Sequence, residues 1–182
     1  MLFNLPKQDK NSKDLSLKYR VYLAPMTSVD VDNYPKPEKA TIKQKVLKAD
    51  EKYNYLDGDA RTLVMNVEPG ENQFKGAPKV TIIIEGLTPD SLEYVYANAG
   101  EDFNMIVERC SDGRKFIMGD PCSGGMRMQY TSIGVLEGGN AGICVEFTGG
   151  QCNQPVLFYD AEFDVVADEA PVAPAKAAVQ TS

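Results

Sequence analysis

The stretch from Lys79 to Met118 constrains the fold more than any other part of the chain. It opens with Val80-Thr81-Ile82-Ile83-Ile84, a β-branched run with almost no polar relief. Such a run predicts a strand buried on both faces. Thr88-Pro89-Asp90 then carries helix-start chemistry. The threonine offers an N-cap hydroxyl, proline suits the first helical position, and the carboxylate faces the positive helix end. Leu92, Val95, Tyr96 and Ala99 recur at helical spacing and Gly100 is placed to stop the turn, so one short helix is expected over residues 88–99. Phe103–Cys110 and Lys115–Met118 flank Ser111-Asp112-Gly113-Arg114, where the Asp-Gly step predicts a hairpin.

The rest of the chain repeats the strand theme. Leu17–Leu23 alternates apolar and polar residues and reads as the first strand; Arg61–Glu68, Met126–Ile133, Ala141–Thr148 and Val156–Val165 read as later ones. Tyr53–Asp59 has the composition of a turn, and Thr41–Ala49 suits either a short strand or an irregular connection. Short strands with regular turn signals and one good helix define a mainly β fold, a β-sandwich or barrel with one short flanking α-helix and an extended N-terminal arm. The expected organisation is an arm over residues 1–16 and one β-rich domain over 17–166. A long proline-bearing loop runs through 24–40, and an Ala/Pro tail over 167–182 has no core of its own.

Composition narrows function mainly by subtraction. The 182 residues include no histidine, which removes the commonest general base, zinc ligand and pH switch together and disfavours an enzyme. Four cysteines, at 110, 122, 144 and 152, form no CxxC pair, so zinc is not expected; two disulfides suit an oxidising space, but a chain of this size does not need them, and free thiols with Cys110 and Cys144 packed in strands are the preferred reading. No cofactor is implied. The apolar start Met1–Leu5 is too short for a secretory signal or a membrane span. The net charge of −7 is unevenly spread: residues 1–50 carry +4 and the remainder −11. Such a dipolar chain suits head-to-tail association with its own copies, or contact between its basic segment and an acidic partner.

Candidate sites are few, and each has a plainer reading beside it. Gly119-Asp120-Pro121-Cys122-Ser123-Gly124-Gly125 is rich enough in glycine to surround an anion with amides, yet lacks the Lys-Ser/Thr ending and following helix of a nucleotide loop. Asp30, Asp32 and Asn33, and separately Asp57 and Asp59, offer oxygen ligands without the calcium-loop pattern, and Asx turns explain them equally well. A nucleophilic Cys110 or Cys122 has no histidine base. Tyr53, Tyr55, Tyr94, Tyr96 and Tyr130 suggest an aromatic platform for sugar rings, although tyrosine is also simply a good strand residue. The segments least like domain core are the arm and the 24–40 loop. If they order by packing on neighbouring subunits, their anchors are Leu2, Phe3, Leu5, Tyr34 and Pro35.

The helix at Thr88–Ala99, the hairpin Met105–Gly119, Gly142–Phe147 and the ending Pro155-Val156-Leu157-Phe158-Tyr159 together resemble virion structural proteins of tailed bacteriophages, particularly those of Bacteroidetes. The resemblance spans about residues 80–163 and fits tail-tube, or major tail, proteins best. It implies a β-barrel or sandwich with one flanking helix, and homo-oligomers stacked as hexameric rings beside other virion proteins. DNA passes through such a conduit without specific binding, and neither membrane nor chemistry is involved. It also implies assembly in the host cytoplasm and residence in the virion. A head-decoration or tail-adaptor protein carries the same features. A reading of another class is a β-sandwich that binds carbohydrate or a surface ligand through its loops.

Overall fold

The structure is a computed structural model that describes residues 2–5, 18–59, 62–70, 75–109, 112–135 and 141–167. It is mainly β, with one ten-stranded sheet and a single α-helix among the described residues. The strands are β1 (Lys18–Pro25), β2 (Thr41–Ile42), β3 (Asn54–Asp59), β4 (Val64–Pro69) and β5 (Gly76–Glu85). After helix α1 (Pro89–Asn98) come β6 (Asp102–Glu108), β7 (Lys115–Met118), β8 (Met126–Val135), β9 (Ala141–Gly149) and β10 (Leu157–Tyr159). The sheet runs β2-β10-β7-β6-β8-β9-β5-β4, with β1 and β3 branching off at β6. All its ladders are antiparallel except β2 with β10.

The branch at β6 buries this strand on both faces. Phe103, Met105 and Val107 enter the main core while Ile106, one residue out of phase, enters a second. Its neighbours split in the same way: Val21 and Leu23 face the main core, and Tyr22 and Ala24 the other. The sequence assigned double burial to Val80–Ile84 instead. There the structure shows strict alternation, with Val80, Ile82 and Ile84 buried and Thr81 and Ile83 half-buried. A β-branched run reports strand propensity more firmly than it reports how many faces are covered.

The main core lies inside the curl of the sheet, between β1, β3, β6 and β7 on one side and β5, β8 and β9 on the other, with Tyr94 and Val95 of α1. The far end of β3 comes close to β5, so the curl approaches a closed barrel. A Cβ at Gly58 would overlap the Ile82 side chain and sit 2.9 Å from the Ile83 carbonyl oxygen, so the approach requires glycine there. The second core lies on the opposite face of β1, β6, β7 and β10, under the irregular segments around Tyr34, Val46 and Phe163.

Helix α1 starts as its sequence dictates. The Thr88 hydroxyl accepts a bond from the Ser91 amide (3.2 Å) and Ser91 Oγ accepts one from the Thr88 amide (2.9 Å), a reciprocal cap with Pro89 behind it. Its buried face is rotated from the one expected. Ser91, Tyr94, Val95 and Asn98 are buried, whereas Tyr96 is 60% exposed. The polar pair could be buried because Ser91 serves the cap and the Asn98 amide donates to the Tyr94 carbonyl at 2.7 Å.

Other departures occur where turn-like composition met a tertiary partner. Tyr53–Asp59, read as a turn, contains β3, because Asn54–Asp59 pairs in full register with Leu23–Lys18. Asp57, only 1% exposed, is tolerated there by a bidentate ion pair with Arg20 at 2.8 and 2.9 Å. The guanidinium also lies 3.7 Å above the Tyr55 ring. The last strand is limited to Leu157–Tyr159, after which the chain is irregular up to a single parallel bridge between Val165 and Tyr53. The Thr41–Ala49 stretch resolves into the two-residue β2 followed by irregular chain.

Candidate functional site

The five residues read as subunit anchors are all placed against their own chain. Leu5 is 1% exposed and bridges Leu56 in parallel, with its amide donating to Tyr55 O and its carbonyl accepting from the Asp57 amide, both at 2.9 Å. Leu2 and Phe3 pack on the main core, Phe3 edge-on to Tyr94 at 5.2 Å. Asn4 ties the two chain ends together: its Oδ1 accepts from the Tyr55 amide (3.0 Å) and its Nδ2 donates to Val166 O (2.8 Å). Asn4 and Leu5 thus line the outer edge of β3, and Val165 continues that edge at Tyr53, just before the strand. Pro35 is buried and Tyr34 half-buried in the second core. Leu5 and Pro35 are buried within their own domain, whereas Leu2, Phe3 and Tyr34 keep part of their surface exposed. Residues 6–17 and 168–182 lie outside the described residues.

Most of the other sequence candidates are occupied structurally. The Gly119–Gly125 loop forms a turn around its own aspartate: Asp120 Oδ1 accepts from the amides of Cys122 (2.7 Å) and Ser123 (3.0 Å). Two amides that an anion would require are therefore engaged. Asp30 accepts from the Asn33 amide at 3.2 Å in a similar turn, and Asp57 belongs to Arg20. Among the described residues no group of three acidic or cysteine side chains is placed to hold a metal. Cys122, Cys144 and Cys152 are free thiols, with Cys144 half-buried in β9; Cys110 lies outside the described residues. Burial pushes the Cys152 thiol up, and the Asp120 carboxylate adds to the effect. The tyrosines do not form one platform. Tyr53, Tyr55 and Tyr94 are core residues, leaving Tyr96 and Tyr130 as an exposed edge-on pair at 6.0 Å.

Two surfaces remain, and both come from topology rather than from motifs. The first is the outer edge of β4. Among the described residues this strand pairs only with β5 and ends the sheet, and it exposes apolar side chains at Val64 (55%) and Val67 (42%). Its one charge, Glu68, is shared with Lys79 (3.8 Å), which also binds Glu146 at 2.9 Å, an ion-pair chain across β4, β5 and β9. The opposite end of the sheet presents much less. There β2 has two residues and folds onto Glu38 through a tight turn in which Lys39 and Ala40 both have positive φ, 47° and 59°.

The second surface is a groove of about 960 Å³ over the second core. Its floor is set by register: Glu108 of β6 pairs with Lys115 of β7, which pairs with Tyr159 of β10. The Tyr22 hydroxyl of β1 donates to Glu108 Oε2 at 3.2 Å and extends the polar row. Burial, then the Glu108 carboxylate, pushes Tyr22 up to about 12; burial alone does the same to Tyr159. Beneath this row Tyr53 donates to Asn104 Oδ1 at 2.5 Å, and the Asn104 amide donates to Gly119 O at 3.0 Å.

Comparison with family models, curated proteins and solved structures finds no match. Among the described residues no helix is long and apolar enough to cross a membrane.

Proposed function

We propose that this chain is a self-assembling structural protein of a tailed-phage virion, a tail-tube subunit that forms stacked rings around a DNA conduit. The observation that supports the reading best is the β4 edge. Chains that act alone blunt such an edge with charge, proline, a bulge or a covering segment. Here Pro69 stands only at the end of the strand, and its single carboxylate has a cationic neighbour, so the central residues offer backbone groups and valine side chains to another strand. The partner is a second copy of the chain, and the rings hold together by strand addition and by contacts between the basic first 50 residues and the acidic remainder. A conduit with acidic walls passes DNA without retaining it, and the excess of −11 beyond residue 50 is compatible with that. A head-decoration or tail-adaptor role would use the same edge with a different partner.

Lysine on an edge strand opposes strand addition while leaving the fold intact. Replacing both exposed valines, Val64→Lys with Val67→Lys, is expected to change folding stability by no more than about 0.5 kcal/mol per site. The same variant should lose higher oligomers by light scattering. Assembly that proceeds unchanged in this folded variant would contradict the role given to β4.

A further inference from the structure

We propose that Cys122 and Cys152 are a modification site, a pair of free thiols that closes to a disulfide by exchange with a small disulfide such as glutathione disulfide. The site is independent of the assembly reading. The sheet register brings the two cysteines together at the open end of the β8–β9 hairpin, where Met126 pairs with Gly149. Beyond that pair the two segments stay in contact. A Cβ at Gly150 would lie 2.5 Å from the Ser123 carbonyl oxygen and 3.7 Å from the Ser123 Cα. Cys122 directly precedes Ser123, and Cys152 follows Gly150 by two residues. One carboxylate serves both: Asp120 Oδ1 accepts from the Cys122 amide at 2.7 Å, and the same side chain acts on the Cys152 thiol. A disulfide needs Cα atoms within about 7 Å, and segments already touching beside both cysteines supply that reach. Cys152 is fixed by two bonds of 3.0 Å exchanged with Gly76, so any adjustment falls to the exposed Cys122 turn.

Position excludes the other described thiol. Cys144 sits in mid-strand between Ile83 and Ser132, and Gly149 lies about 17 Å further along β9. Exposure sets the order of the chemistry. Cys122 is exposed, whereas Cys152 is half-buried, and burial with the Asp120 carboxylate keeps its thiol protonated to higher pH. The Cys122 thiolate therefore attacks one sulfur of glutathione disulfide and releases the first glutathione. Cys152 then gives up its proton, attacks the Cys122 sulfur and releases the second. Both cysteine thiols are oxidised, and one glutathione disulfide is reduced to two glutathione thiols.

The test treats the reduced full chain with millimolar glutathione disulfide and follows intact mass and peptide maps. The wild type should lose two hydrogens through a single link between Cys122 and Cys152, and dithiothreitol should restore them. Cys152→Ser should stop at a glutathione adduct on Cys122, and Cys144→Ser should behave as the wild type. Both substitutions are conservative, so folding is checked by circular dichroism before the exchange is read. Four free thiols after prolonged treatment would overturn the proposal. So would glutathione adducts in the wild type with no internal link, a link through Cys110 or Cys144, or a link between two chains.

Discussion

The turn before β2 shows how a single residue can hide an element from sequence reading. Glu38 and Thr41 exchange two backbone bonds of 2.9 Å around Lys39 and Ala40, both in the left-handed region. Hairpin turns of this shape ordinarily carry Asn-Gly, because glycine has no Cβ to clash there. Pro-Glu-Lys-Ala-Thr gives no such signal, which is why the Thr41–Ala49 stretch could not be assigned from its composition. Ala40→Gly relieves the clash and should raise stability by about 1 kcal/mol. Urea denaturation measures it, and an unchanged or lowered midpoint would show that Ala40 bears no strain.

At the scale of elements, legibility followed how local the signal was. The α1 start was legible because its cap, proline and first-turn carboxylate act within four residues. Lys115–Met118 was legible because Asp112-Gly113 fixes a hairpin locally. Strand β3 was not, since Asn54, Asp57, Gly58 and Asp59 favour a turn until β1 supplies its ladder and Arg20 its counter-charge. The helix face was misjudged because Ser91 and Asn98 look like solvent residues but are satisfied internally. The same reasoning separates neighbours on β5. Ile82→Ala empties a fully buried site and should cost about 2–5 kcal/mol, and Ile83→Ala, half-buried, clearly less. Equal costs in chemical denaturation would mean that both faces of β5 are covered after all. Of the candidate surfaces, neither the groove nor the β4 edge could be read locally: Tyr22, Glu108, Lys115 and Tyr159 are scattered along the chain and meet only through the sheet register.

Among the described residues several tyrosines are wholly or partly buried, and that fixes how the stability of the whole molecule responds to alkali. Burial pushes Tyr34, Tyr53 and Tyr94 up, and Tyr22 and Tyr159 up to about 12. Unfolded tyrosine ionises near 10. The folded state therefore holds these protons longer than the unfolded state. Their contribution is complete below pH about 10 and is lost as the pH rises from there towards about 12. Urea midpoints measured across that window should fall steadily; a midpoint that stays level would show that the hydroxyls are not shielded as described.

Among the described residues β4 pairs on one side only, and the reading of this chain as an assembling subunit depends on that edge. The most direct test is the mass and shape of the purified full-length protein, by light scattering with negative-stain microscopy over a concentration series. The account predicts rings or stacked tubes that grow with concentration. A particle with the mass of one 20.0 kDa chain at every concentration would contradict it.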